Sequence, residues 1–166
     1  MTDLEAKARA IRLLVLDVDG VLTDGRLYFS PRGEELKCFD VRDGYGLKSL
    51  QRAGITVAVI SGRRSAAVEA RARELGIEHV HQGIEDKRAV FGDLLERLGL
   101  EPTAAACVGD DAPDVPLLEA AGLAIAVADA HDCARAAADY VTRRDGGRGA
   151  VREVCDLLVA ARGGHA

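Results

Sequence analysis

Asp17 and Asp19 stand two positions apart in Asp17-Val-Asp-Gly-Val-Leu-Thr-Asp24, and a second acidic group, Gly109-Asp-Asp111 with Asp114 beyond it, comes far later in the chain. Carboxylates brought to one point repel one another, and a hard divalent cation with oxygen ligands relieves that repulsion at neutral pH. Magnesium is the natural ion, held by Asp17, Asp110 and the backbone carbonyl of Asp19, because Mg²⁺ takes few protein ligands and leaves positions for water and a phosphate oxygen. Lys87 adds a positive charge, which lets a carboxylate approach phosphorus. Asp17 is then the nucleophile of an aspartyl-phosphate reaction, since a carboxylate needs no base to activate it. Asp19 moves protons: it protonates the leaving alkoxide and later deprotonates the hydrolytic water. Ser61 would donate a hydrogen bond to the phosphoryl group. Asp111 and Asp114 would orient Lys87 or the waters of the metal, or cap the helix near Pro113.

These residues need a frame that brings distant carboxylates together. The apolar run Arg12–Asp17 reads as a buried parallel strand, and Arg26–Phe29 with Glu34–Phe39 as a β-hairpin around Ser30-Pro-Arg-Gly33. Helices over 46–53, 66–75, 86–98, 113–121, 133–138 and 150–161 then alternate with strands over 55–60, 78–80, 104–108, 124–127 and 140–142. That alternation predicts an α/β fold, a doubly wound, mainly parallel, Rossmann-like sheet with a hairpin inserted after the first strand. Every acidic or basic cluster follows a strand, on the edge where such folds bind ligands. No linker or repeat divides the chain, so residues 1–166 are expected to form one domain.

Composition narrows the class further. The chain has 166 residues, 48% apolar and 30% charged, which is a core-forming chain. Its 22 basic and 27 acidic side chains give a net charge of -5, so neither nucleic acid nor a membrane surface is an expected partner. Cys38, Cys107, Cys133 and Cys155 form no C-x-x-C pair and suggest neither a zinc site nor a disulfide framework. His79, His81, His131 and His165 lack ligand spacing and read as surface or structural residues. No signal peptide is evident in Met1–Ile11, and no run of about 20 apolar residues is present. A cytoplasmic protein is expected.

The order Asp17-Val-Asp-Gly, Ile60-Ser-Gly-Arg63, Lys87 and Val108-Gly-Asp-Asp111 resembles the four motifs of the haloacid dehalogenase superfamily of phosphatases. Further strings are similar to its bacterial branch acting on 3-deoxy-D-manno-octulosonate 8-phosphate: Asp40-Val-Arg-Asp-Gly-Tyr-Gly46, His81-Gln-Gly83, Val127-Ala-Asp-Ala-His131, Asp139-Tyr-Val-Thr142 and Gly146-Gly-Arg-Gly-Ala-Val-Arg-Glu-Val-Cys-Asp-Leu157. The resemblance covers about residues 12 to 160. It implies a magnesium-dependent, cytoplasmic, tetrameric enzyme of lipopolysaccharide biosynthesis. It also implies that Asp17, Asp19 and Asp110 hold magnesium, and that Asp19, Asp40, Val41, Arg42, Asp43, Gly44, Lys48, Arg63, Arg71 and Lys87 contact the sugar-acid phosphate. Lys48 stands where some members have Arg, Ser61 where others have Thr, and Asp132 where Pro often follows the His.

The distances between motifs leave no room for a cap domain. Capless members of the family close their sites by assembling four subunits through the hairpin, here residues 26–39, which would place Tyr28, Phe29 and Leu36 in an interface. Within the C-terminal tail of about 145–166, the Gly146-Gly-Arg-Gly149 stretch before the final helix is expected either to send Arg148 into a neighbouring site or to act as a plain glycine-rich linker. Two other readings stay open: a phosphatase for a nine-carbon sugar-acid 9-phosphate, and a non-catalytic phosphoacceptor or assembly module. Receiver domains place their lone acceptor Asp after the third strand, where this chain has His81-Gln-Gly83, and the intact Asp17, Asp19, Lys87 and Asp110 argue against a silent module.

Overall fold

A computed structural model describes residues 2–163. Six strands form one parallel sheet in the order β5 (His79–Gln82), β4 (Thr56–Ser61), β1 (Leu13–Leu16), β6 (Ala105–Gly109), β7 (Leu123–Ala126) and β8 (Tyr140–Val141). The chain builds outward from β1 to β4 and β5, then returns to β6 on the other side of β1. The direction of winding therefore reverses between β1 and β6, the crevice where sheets of this kind bind ligands. Leu16 pairs with Val108, so Asp17 and Gly109 come next at the same level of the sheet.

The helices of the two winding directions are α2 (Val41–Arg52) and α3 (Ala66–Leu75) in one set, and α4 (Lys87–Leu98), α5 (Val115–Ala120) and α6 (Asp132–Ala136) in the other. Right-handed crossovers put these sets on opposite faces. A last helix, α7 (Ala150–Ala161), packs against α2, and α1 (Asp3–Ala10) packs against α7. The four central strands are buried, with Leu14, Leu16, Ile60 and Leu123 fully enclosed, while the edge strands β5 and β8 are half-buried.

Among the departures from the sequence expectation, three stand out at α1, α2 and α5. The N-terminal helix α1 was not anticipated; Thr2 and Glu5 form a reciprocal capping box that starts it. Helix α2 begins at Val41 rather than Gly46, because the Asp40 carboxylate accepts the Arg42 N–H and caps it. The helix expected over 113–121 is split into a 3₁₀ turn, Ala112–Asp114, and the short α5. The hairpin is present but brief, β2 (Tyr28–Phe29) against β3 (Glu35–Leu36), antiparallel and separate from the main sheet. No other element is inserted between β1 and α2, so the fold is capless. Among the described residues, no helix is long and apolar enough to cross a membrane.

Candidate active site

At the β1/β6 crevice, one oxygen each of Asp17, Asp110 and Asp114 falls within 4.8 Å of the others. Lys87, the first residue of α4, is buried and reaches under this group: its Nζ lies 2.8 Å from Asp17 Oδ1 and 2.7 Å from Asp114 Oδ1. The other Asp114 oxygen accepts the backbone N–H groups of Asp110 (2.9 Å) and Asp111 (3.4 Å). Asp114 is thereby fully engaged, and Asp17 and Asp110 are left to face outward.

Burial and the Asp114 carboxylate push the Asp17 carboxyl up to about 6, against the pull of Lys87. Burial, with the Asp17 and Asp114 carboxylates, pushes Asp110 up to about 8. Burial also opposes the Lys87 ammonium, but the two carboxylates outweigh it and its pKa rises. One lysine for three crowded carboxylates leaves an excess of negative charge. A hard divalent cation on Asp17 and Asp110 suits this donor set, which is all oxygen.

The loop that carries Asp17 is braced from within. The Thr23 hydroxyl is buried and accepts the N–H groups of Gly20 (3.3 Å) and Gly25 (3.2 Å). Gly20, at φ +89°, lies so close to Asp110 that an added Cβ would meet its Oδ2 at 2.0 Å. The Gly146-Gly147 pair closes over the same loop: a Cβ on Gly146 would fall 1.7 Å from the Gly20 carbonyl oxygen, and the Gly147 N–H donates to Val21 O at 2.9 Å. The segment expected as a linker or a reaching tail is therefore seated on its own subunit's acidic loop. Arg148 itself is exposed, 4.0 Å from the Asp24 carboxylate.

Asp19 is not part of the Asp17, Asp110 and Asp114 group. Its carboxylate pairs with Lys37, which is almost fully buried, and with Arg63 Nε at 3.7 Å. Glu35 completes the group, 2.6 Å from Lys37 and 2.9 Å from Arg63 Nη2. The hairpin strand β3 thus turns Glu35 and Lys37 inward and Leu36 outward. Neither charged residue was singled out in the sequence; the inverted alternation of a charged inner face and an apolar outer one is the signal that marks them. Ser61 is buried at the end of β4, and Asp111 is exposed, its carboxylate accepting the Ala112 N–H at 2.7 Å.

The remaining expected substrate residues gather elsewhere in this subunit. Arg42 is exposed and bound to Asp40, while Arg71 pairs with Glu74 and donates to the Asp40 carbonyl. Val41 and Lys48 are exposed on α2. Among the described residues, no hydrogen bond or ion pair joins any of these to Asp17, Lys87 or Asp110. Asp43 and Gly44 are both buried, Gly44 against the Arg71 side chain, and Asp43 accepts the Arg152 N–H at 2.8 Å in the first turn of α7. A separate open cleft is lined by Arg42, Arg143, Arg144, Arg148 and Arg152. His79 and His81 are on β5, and His131 caps α6 through its side chain; His165 lies outside the described residues.

The profile of the haloacid dehalogenase-like hydrolases matches residues 41–122, and the chain belongs to that family. It is 56% identical over 161 residues, 97% of its own length and 86% of the relative's, to the 3-deoxy-D-manno-octulosonate 8-phosphate phosphatase KdsC of Escherichia coli (strain K12). The KdsC of Salmonella typhi is 54% identical over 98% of this chain and 86% of its own. Among solved structures, the 3-deoxy-D-manno-octulosonate 8-phosphate phosphatase of Moraxella catarrhalis, in complex with a magnesium ion, a phosphate ion and a KDO molecule, superimposes with a TM-score of 0.96. That structure is 44% identical and covers 98% of this chain and 94% of its own.

Proposed function

We propose that this chain hydrolyses 3-deoxy-D-manno-octulosonate 8-phosphate to the free sugar acid and phosphate, with magnesium as its cofactor, in lipopolysaccharide biosynthesis. The single observation that carries the chemistry is Lys87 held between Asp17 and Asp114 beneath the facing carboxylates of Asp17 and Asp110. The likeness to KdsC over nearly the whole chain carries the substrate. Asp17 and Asp110 would hold the magnesium ion with the backbone carbonyl of Asp19, and the ion supplies charge neutralisation for the incoming phosphate.

An Asp17 oxygen forms a bond to phosphorus as the bond from phosphorus to the sugar oxygen breaks. Asp19 gives that leaving oxygen its proton. Water then attacks the phosphorus of the aspartyl-phosphate, Asp19 takes up the proton of the water, and phosphate leaves with the Asp17 carboxylate restored. Lys87 fixes the attacking oxygen and balances its charge throughout, while Ser61 donates to the phosphoryl group. Arg63, beside Asp19, is placed to take the anionic end of the substrate.

Residues 1–166 act as one domain in the cytoplasm, and four copies assemble through the hairpin. In such an assembly the exposed α2 residues Val41, Arg42 and Lys48 serve a neighbouring subunit's substrate. Phosphate release from eight- and nine-carbon sugar-acid phosphates, with and without Mg²⁺, tests the reading. The native enzyme prefers the eight-carbon ester and needs the ion, and Asp17→Asn lowers turnover by about a thousandfold or more. Equal turnover by Asp17→Asn would reject the nucleophile, and preference for the nine-carbon ester would reject the substrate.

A further inference from the structure

Next to the acidic cluster, on the far side of the Asp110–Asp111 peptide, a second group of potential ligands has a different chemical character. One ligand atom each from Asp111, His131 and Cys133 falls within 4.8 Å of the others. The Cys133 sulfur lies 3.1 Å from His131 Nδ1. Two ligands of one tetrahedral zinc ion, at their usual bond lengths, stand about 3.5 Å apart, so a small opening of this pair admits the ion. His131 Nδ1 accepts the Cys133 backbone N–H at 3.3 Å, which holds the ring beside the thiol, and an ion bound at that nitrogen would replace the N–H as its partner.

Supporting contacts hold Asp111 and His131. The Asp111 carboxylate is oriented by the Ala112 N–H, and the His131 backbone N–H donates to the Asp110 carbonyl at 2.7 Å, tying the loop after β7 to the loop after β6. Such outer contacts are what hold metal ligands in register. Cys133 is partly exposed and open to an arriving ion, unlike Cys107 and Cys155 in the core.

We propose that Asp111, His131 and Cys133 form a binding site for a zinc-class divalent ion, distinct from the oxygen-only site at Asp17 and Asp110. Thiolate and imidazole favour such ions over magnesium, which prefers the carboxylates next door. Binding releases the thiol proton to solvent. Water or a small anion completes the fourth position. The proposal concerns binding alone and stands whatever ester the enzyme hydrolyses.

Cobalt titrated into the whole protein in a large excess of Mg²⁺ tests it, with the magnesium occupying the carboxylate site. One equivalent of cobalt is expected to give the intense near-ultraviolet band of a thiolate–cobalt bond, and equilibrium dialysis with zinc to show one equivalent retained. Cys133→Ser removes the band, and Cys133→Ser and His131→Ala each weaken zinc binding about tenfold or more, with far-ultraviolet circular dichroism showing both variants folded. A native protein without the band, or variants that bind zinc as tightly as the native chain, would overturn the site.

Discussion

Asp43 shows how burial turns a single carboxylate into a pH-dependent element of stability. Burial raises its carboxyl to about 6, while the Arg152 and Gly149 backbone N–H groups pull the other way. A carboxyl with a folded-state pKa above its unfolded value holds its proton more tightly in the fold, so its ionised form costs stability. The cost is absent below about pH 4, grows as the pH rises towards 6 and is full above that. Asp43→Asn keeps an oxygen for the Arg152 N–H and carries no charge. It is therefore expected to equal the native protein near pH 4 and to exceed it by about 2 kcal/mol near pH 8, measured by denaturant unfolding at both pH values. Equal stability at both would show that the charge is not strained. At this scale the sequence made Asp17, Asp110 and Lys87 legible, because each follows or opens an element whose end is marked by apolar run and glycine. Thr23 was not legible, because it acts through backbone groups of its own loop and that geometry has no local spacing, and the alternation around Lys37 does not by itself tell which carboxylate the hairpin folds back onto.

Among the elements, glycines misdirected the reading most. Gly44 and Gly46 weaken a helix on propensity alone, which delayed the expected start of α2. They are present because α2 is flanked closely: Gly44 meets the Arg71 side chain of α3, and Gly46 meets Arg152 and Cys155 of α7. Helices α3 and α7 carry no such glycines within them, and their bounds follow the apolar spacing residue for residue. Gly146 and Gly147 were read as flexible for the same reason, whereas their missing side chains allow backbone to lie on backbone. Gly146→Ala puts a methyl group into the Gly20 carbonyl. The clash is expected to cost about 1–3 kcal/mol and to raise the magnesium concentration needed for half-maximal phosphatase activity, since Gly20 in turn presses on Asp110. Thermal unfolding and a magnesium titration read the two effects, and an unchanged magnesium requirement would show that the glycine pair does not support the metal loop.

For the whole molecule, the decisive surface is apolar and outward. Phe29 and Leu36 are 58% and 60% exposed on the hairpin, and Val41 nearby in sequence is 80% exposed. Side chains of this kind left in water favour association with a second copy. Sedimentation velocity of the native protein is expected to show a four-chain species, and Phe29→Glu with Leu36→Glu to dissociate it and lower activity. A native protein that sediments as a single chain would reject the assembly. The alternating pattern made the sheet readable, but an assembly of copies would leave no signature in spacing, because its partners would lie on other copies. The clasp of Gly146 and Gly147 over the Asp17 loop adds a matter of timing. A ribosome delivers the Asp17 loop well before the clasp, so a growing chain carries these acids long before the piece that seats them. The loop reaches its braced form only once that later piece has been made.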